Sequence, residues 1–226
     1  MVYRLVHQRS VLPLACGLLA LILSFAVQPV GVAQAGTLTV NANDGPLSAG
    51  DSYCTLREAI AEANDTVAPG TYTECGAATF GGEDTIEITV DTTLGSALPV
   101  VFSQIIINGN GHFVDGADTF RVLDVSTGAV LTINNLTLMN GRSTGGSGLR
   151  IRNGATVTVQ NNSVITGNTG TGSLWGSGIH VDASTFNVYD SVISYNATIG
   201  GTAEAWRMGW NRSEIQSRNS RISRYV

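Results

Sequence analysis

The sequence predicts an all-β protein, folded as a right-handed parallel β-helix with a short N-terminal capping helix. Two observations support a β-helix: apolar side chains recur every 26 to 30 residues, and each repeat alternates apolar with polar residues. A third observation is a single amphipathic stretch at residues 55–64, in a chain otherwise rich in Thr, Asn and Gly. That stretch predicts the capping helix.

Residues 1–35 have the layout of a secretory signal peptide, in which a basic start precedes an apolar run over residues 11–27. The Ala-Gln-Ala sequence at 33–35 matches an A-x-A cleavage signal, so we expect cleavage after Ala35 and export. A retained membrane anchor is the alternative. Because Pro13 interrupts the apolar run, we expect no transmembrane span after cleavage.

Residues 36–100 are interpreted as an N-terminal cap that contains the helix and the first strands. The end of a solenoid exposes an apolar column and unpaired strand edges, and a short helix can cover both. Thr55 and Glu58 match a capping box, and an apolar stripe follows them. The residues expected to form this cap are Thr55, Leu56, Arg57, Glu58 and Ile60.

Two cysteines, Cys54 and Cys75, remain after the expected cleavage. An oxidising compartment allows them to pair, so we expect a disulfide beside the helix. A metal site is the alternative, but two cysteines with no histidine nearby make a poor one.

Residues 101–201 are interpreted as β-helix coils of about 26–30 residues each. Ile107, Ile133 and Val159 follow one another at intervals of 26 residues, and Val188 comes 29 residues later. By the same alignment Leu138 is matched with Val164. An antiparallel sandwich is the alternative architecture, and it does not explain this period. Asparagine pairs at 134–135 and 161–162 suit left-handed corner positions and could form side-chain ladders.

Residues 202–226 form an atypical tail. Five of the twelve arginines and two of the three tryptophans lie here, with no alternation of apolar and polar residues. One hypothesis is a basic tail that binds a partner. The hypothesis we favour is that the repeat is truncated or read out of frame.

Several motifs resemble those of a known family. CTLREAIAEAN (54–64) resembles the CSLREA motif of exported bacterial surface proteins. The pairs GSGL and ITGN (146–149, 165–168) and GSGI and ISYN (176–179, 193–196) resemble the GGA(I/L) and FxxN signatures of polymorphic outer membrane protein repeats, although serine and isoleucine replace the signature residues. The resemblance implies a surface-exposed or secreted β-helix, often adhesive, without a cofactor.

A charged strip is expected on one face of the coils, because residues one coil apart stack about 4.8 Å from each other. Two outward positions are involved, one shared by Asp124, Arg150 and His180 and the other by Ser126, Arg152 and Asp182. We interpret the strip as charge pairing between Asp124, Asp182 and the arginines between them. A surface that contacts sugar and a catalytic site are the alternatives.

The predicted coils contain few groups that could act as acids or bases: residues 101–201 include five aspartates, no glutamate and no lysine. We therefore expect no catalytic residue, metal or cofactor. The formal charge of −5 and the lack of a basic stripe argue against a nucleic-acid partner.

Together these features predict a secreted or outer-membrane surface protein, adhesive or structural, whose partner is a host or environmental glycan or a cell-surface protein. The alternative is a polysaccharide lyase or glycoside hydrolase of pectin-lyase-like fold.

Overall fold

The structure is a computed structural model that describes residues 35–64, 70–79, 81–171 and 176–200, together with the backbone of three strands beyond residue 205. These residues form a parallel β-helix with one α-helix, as the sequence predicts. The expected signal peptide, apart from Ala35, lies outside the described residues.

No helix in the described part of the chain combines the length and hydrophobicity that crossing a membrane requires.

The α-helix α1 comprises Leu56–Ala63, and a 3-10 helix comprises Thr73–Cys75. In chain order the strands are β1 Thr37–Val40, β2 Gly76–Ala77, β3 Glu83–Ile88, β4 Thr92–Thr93, β5 Gln104–Asn108, β6 Phe113–Asp115, β7 Leu123–Val125, β8 Val130–Asn134, β9 Thr137–Met139, β10 Arg142–Ser143, β11 Leu149–Arg152, β12 Thr156–Gln160, β13 Val164–Thr166, β14 Thr169–Thr171, β15 Ile179–Asp182, β16 Thr185–Tyr189, β17 Val192–Ser194, β18 Ala197–Ile199, β19 Trp206–Met208, β20 Glu214–Arg218 and β21 Arg221–Ile222.

The strands form four sheets that run along the solenoid. The longest has the order β2-β1-β3-β5-β8-β12-β16-β20, and the others are β10-β14-β18, β19-β15-β11-β7 and β21-β17-β13-β9-β6-β4. Among the described strand pairs, only β1 with β2 is antiparallel. Each of the other strands pairs with its equivalent in the next coil, which is the pattern of a parallel β-helix and not of an antiparallel sandwich.

The predicted apolar column is present. Ile107 pairs with Ile133, Ile133 with Val159 and Val159 with Val188, and each side chain is at most 1% exposed. The column continues toward the N-terminal cap through Ile86 and Leu38, which are also fully buried. Stacking of equivalent side chains therefore builds one continuous core.

Amides form a ladder along the outer face of the longest sheet. Asn134 Nδ2 donates to Asn108 Oδ1 at 2.9 Å, and Gln160 Nε2 donates to Asn134 Oδ1 at 3.0 Å. We expected Asn134 to occupy a left-handed corner position. It is instead the last residue of strand β8. Asn135, Asn161 and Asn162 do have positive φ angles, of 47°, 57° and 63°.

One register prediction is wrong. Leu138 pairs with Ile165 and not with Val164, and Ile165 is the fully buried residue of β13. The corner before β13 holds one residue more than the corner before β9, since Asn161 and Asn162 both adopt left-handed conformations there. The extra residue shifts the inward position by one.

The asparagines that end ITGN and ISYN, Asn168 and Asn196, are completely buried. Asn168 Oδ1 accepts from Gly141 N at 2.7 Å, and its Nδ2 donates to Asn196 Oδ1 at 2.9 Å. Asn196 Nδ2 in turn donates to Ile165 O at 2.9 Å. These side chains therefore satisfy backbone groups inside the coil corners.

The glycines of GSGL and GSGI accommodate these asparagines. A Cβ on Gly148 would lie 2.7 Å from Asn168 Nδ2, and a Cβ on Gly178 would lie 2.6 Å from Asn196 Cγ. Each glycine therefore leaves room for the asparagine that follows it three strands later in the chain, which explains why the two motifs recur as a pair.

The tail also contributes strands, although its sequence does not alternate. Strands β19, β20 and β21 pair in parallel with β15, β16 and β17. The backbone of the coil therefore continues into the strands at residues 206–208, 214–218 and 221–222.

The two ends of helix α1 are capped by the predicted residues. Thr55 N donates to Glu58 Oε2 at 2.8 Å, while Glu58 N donates to Thr55 Oγ1 at 3.3 Å, and Asn64 is the C-cap. All eight helical residues are buried, including Leu56 and Ile60. Because α1 packs on β1 and β3, it covers the first coils of the solenoid, as a cap should.

Candidate functional site

The charged strip has the predicted register on the sheet formed by β7, β11 and β15. Arg150 pairs with Asp124 on one side and His180 on the other, and Arg152 pairs with Asp182. Ser126 does not belong to this surface, because only 2% of it is exposed. It is the residue after β7, and its Oγ accepts a hydrogen bond from Asn153 Nδ2 at 2.8 Å.

The two arginines of β11 both bind Asp124. Arg150 Nε lies 3.0 Å from Asp124 Oδ1, and Arg150 Nη2 contacts Oδ2. Arg152 approaches the same oxygens at 3.3 Å from Nε and 3.4 Å from Nη2. Among the described residues, the ion pairs of this strip all end at Asp124 and none includes Asp182. The charges therefore do not alternate along the strip as a paired ladder would.

A third arginine, Arg121, joins this group, and the sequence did not indicate it. Arg121 Nη1 lies 3.7 Å from Asp124 Oδ2. Its other nitrogens donate to Gly146 O and Gly145 O, both at 3.0 Å, and these bonds fix the guanidinium against the loop that precedes β11. We call Arg121, Arg150 and Arg152 around Asp124 the arginine cluster.

Gly146 is required where this loop crosses the strip. It has a φ of 59°, and a Cβ at this position would lie 2.9 Å from His180 Cβ and 3.0 Å from Arg150 Cβ. The half-buried His180 therefore lies next to Arg150 and against the loop that holds Arg121.

The pKa of Asp124 reflects its partners. Burial alone would raise that pKa, but the hydrogen bonds from Arg150 and Arg152 outweigh it and hold the pKa below the usual 3.8. Burial, with the charges of Arg150 and Arg152, lowers the pKa of Arg121 to about 10, while Asp124 opposes that change. At neutral pH Arg121 and Asp124 are therefore both charged.

The arginine cluster carries an excess of positive charge. Three guanidinium groups share a single carboxylate, which leaves two positive charges uncompensated within it. The side chains of Arg150 and Arg152 are 29% and 32% exposed, whereas that of Asp124 is 11% exposed. The arginines thus keep donors that face solvent while the acid lies beneath them.

The remaining predicted residues lie in the N-terminal cap, away from this sheet. Cys54 and Cys75 form the expected disulfide, with their Cα atoms 4.8 Å apart. Arg57, whose side chain is 8% exposed, pairs with the nearly buried Asp44 at 2.8 Å and also donates to Ser96 O at 2.9 Å. These contacts tie the helix to the loops on either side of it. We therefore assign these residues a structural role.

No three His, Cys, Asp or Glu side chains in the described part of the chain lie close enough to share a metal ion. One shallow depression has no carboxylate in its lining, which consists of Gly81, Gly82, Phe102, Ser103, Gln104 and Gly128. A second depression has one carboxylate among its described lining residues, that of Glu74. Neither holds the pair of acids that glycoside hydrolysis requires.

Replacing Asp124 with asparagine is expected to lower the free energy of unfolding by about 2 kcal/mol at pH 7, because charge-assisted hydrogen bonds are lost and the arginines repel one another. Since the folded-state pKa of Asp124 is lowered, its contribution is present above about pH 4 and is lost as the pH falls through the folded pKa. Urea unfolding of both proteins between pH 7 and pH 2.5 measures this. The difference between them should shrink on acidification, and a constant difference would contradict the assignment.

The fold and this site define a parallel β-helix with a cationic cluster on one sheet. Comparison of the chain with protein families, curated proteins and solved structures found no significant match.

Proposed function

We propose that this is an exported, non-catalytic β-helix protein of the cell surface or extracellular medium, which binds an acidic glycan through the arginine cluster. The observation that carries the binding proposal is a partly exposed surface on which three guanidinium groups share one carboxylate, with Asp182 as the further acid of the strip. An adhesive or structural role in the cell envelope follows from that binding.

The geometry suits carboxylate or sulfate groups. A guanidinium presents a planar fork of donors that matches the two oxygens of such groups. Asp124 and the loop carbonyls of Gly145 and Gly146 already hold the arginines in place, so little side-chain entropy remains to be lost on binding. A sheet built from stacked coils also offers an extended surface to a polymer.

Export is supported by two features. The N-terminal sequence has the three parts of a signal peptide. The Cys54–Cys75 disulfide is typical of proteins that fold in an oxidising compartment.

The competing proposal is a carbohydrate-active enzyme on the same fold. It would need a base or a pair of acids free to act on sugar. On this sheet Asp124 is already bound by Arg121, Arg150 and Arg152, which leaves Asp182 as the remaining strip acid. Incubation with uronate polymers, with and without Ca²⁺, discriminates the two: unsaturated products would favour a lyase, and binding without turnover favours an adhesin.

Substitution of Arg150 or Arg152 with alanine is expected to weaken binding of the exported protein to polygalacturonate about tenfold each, since each removes a charged hydrogen-bond donor. Binding is measured by titration at fixed salt, with neutral dextran as the uncharged ligand. Arg142→Ala is the matched control, because Arg142 is an exposed arginine on a different sheet.

The control variant should bind as the unsubstituted protein does. Equal losses for all three variants, or equal binding to dextran, would show that the arginine cluster is not the site. If no acidic polysaccharide binds while a cell-surface protein does, the glycan proposal is wrong.

A further inference from the structure

A carboxylate occupies a core position near the N-terminal end of the solenoid. Asp84 pairs in register with Ile105 on the next coil, and the same inward position is then filled by Leu131, Val157 and Phe186. All four apolar residues are at most 2% exposed, and Asp84 itself is 0% exposed. A buried acid in an otherwise hydrophobic column is costly unless the structure compensates its charge.

The described contacts compensate Asp84 only in part. Its Oδ1 accepts from Gly36 N at 3.0 Å, Thr79 N at 2.9 Å and Thr79 Oγ1 at 3.0 Å. Its buried Oδ2 has no hydrogen-bond partner among the described residues, and none of their ion pairs includes Asp84. The carboxylate therefore keeps one oxygen that could accept a further hydrogen bond, and none of the described cationic side chains pairs with it.

Gly36 fits closely against this carboxylate. It is buried, whereas the preceding Ala35 is exposed. A Cβ at position 36 would lie 2.6 Å from Asp84 Oδ1, so only glycine allows the backbone to approach so closely. Gly36 O also accepts from Thr85 N at 2.9 Å, which fixes the residue at the start of the pairing between β1 and β3.

We infer that the Ala35–Gly36 peptide bond is the processing site, and that the α-ammonium group released on Gly36 forms a buried ion pair with Asp84. This inference rests on the proposed export. A signal peptidase would hydrolyse the bond with one water molecule: Ala35 leaves as a carboxylate, and the Gly36 nitrogen takes up protons to become an ammonium. No electrons are transferred.

The ion pair supplies what Asp84 lacks. Before cleavage the Gly36 nitrogen is an amide with one N–H, which donates to Oδ1. After cleavage the same nitrogen carries three N–H donors and a positive charge, next to an acid whose Oδ2 is unpaired. Removal of the leader therefore stabilises the β-helix at its first strand, and the mature chain is more stable than one whose N-terminal nitrogen remains an amide.

The lack of lysine provides a direct test, since the α-amine is the only primary amine of the processed protein. The full chain is expressed with its own leader in a bacterial host that exports it, and the purified protein is analysed by mass spectrometry. We expect a chain that begins at Gly36. An amine-reactive ester should label it about tenfold or more slowly in the native state than in denaturant, because the ammonium is buried and paired.

Acetylation of the α-amine in denaturant, followed by refolding with the disulfide intact, restores an amide at Gly36. We expect this to lower Tm by about 5–10 °C. In Asp84→Asn, which keeps an Oδ1 acceptor, acetylation should have little effect and the native amine should label faster. Glu87→Gln is the matched control on the same strand and should behave as the unsubstituted protein does.

The outcomes separate the two proposals. If no processed protein is exported, the proposed function fails at its first step. If the processed chain begins at another residue, or begins at Gly36 but labels as fast when native as when unfolded, export stands and the ion pair is wrong. Unchanged Tm on acetylation also overturns the ion pair, even if Asp84→Asn does not fold.

Discussion

Replacement of Asn168 with alanine is expected to lower the free energy of unfolding by about 3 kcal/mol or more. The side chain accepts from Gly141 N at 2.7 Å, and its amide donates to Leu138 O at 3.2 Å, Thr166 O at 3.0 Å and Asn196 Oδ1 at 2.9 Å. Asn168 is 0% exposed, so alanine would remove the buried acceptor of Gly141 N and the donor shared by the two carbonyls, and would create a small cavity, while Asn196 Oδ1 would keep its bond from the backbone N–H of residue 168. Urea unfolding followed by circular dichroism measures the loss.

Asn187→Ala is the matched control for this substitution. Asn187 is a half-buried residue on the outer face of β16, and among the described residues its side chain has one hydrogen bond, of 3.3 Å, to Thr158 Oγ1. Its replacement should cost less than about 1 kcal/mol, because water can satisfy the groups that it leaves. Equal losses at positions 168 and 187 would mean that the buried asparagine ladder does not stabilise the coil corners.

The inner structure of the coils follows from the sequence because stacking demands repetition. A short strand buries its apolar face only against its equivalent in the next coil, so Ile107, Ile133 and Val159 must recur at the coil length. The corners between strands are not bound to a fixed length in this way. One extra left-handed residue, as at Asn161 and Asn162, changes the register of the next strand without disturbing the apolar pattern on either side.

The sequence specifies the positions of the residues in the charged strip but not their ion-pair partners. Register alone places Asp124, Arg150 and Asp182 on one face, but it does not say which acid an arginine will choose. That choice depends on side-chain reach and on neighbouring loops. Arg121 escapes the pattern because it precedes β7, and the carbonyls that orient it belong to a loop 24 to 25 residues further along the chain.

The unusual position of Asp84 is visible in the sequence of β3 itself. In the sequence of β3, Ile86 and Ile88 mark the inward positions, and Asp84 falls on the same alternation. An acid at such a position violates the pattern that defines the strand. Violations of this kind concentrate at sites where a local requirement outweighs the general rule, and the approach of Gly36 N identifies that requirement here.

Removal of the disulfide by replacing Cys54 and Cys75 with alanine is expected to lower the free energy of unfolding by about 3 kcal/mol. The two cysteines are 21 residues apart, and the loop that they close carries α1. A cross-link of this span restricts the unfolded chain, and it also holds the helix over the first coils. Because the cysteines are only 0% and 2% exposed, alanine replaces them without introducing an unsatisfied polar group.

Reduction of the unsubstituted protein provides the control that separates cross-linking from packing. If the cross-link is the source of stability, the reduced protein and the double alanine variant should unfold at similar urea concentrations. Both should also show a larger dependence of unfolding free energy on urea, because an unfolded chain without the loop constraint exposes more surface. A variant as stable as the oxidised protein would contradict this view and would leave the capping box of Thr55 and Glu58, with the Arg57–Asp44 pair, as sufficient anchors of the helix.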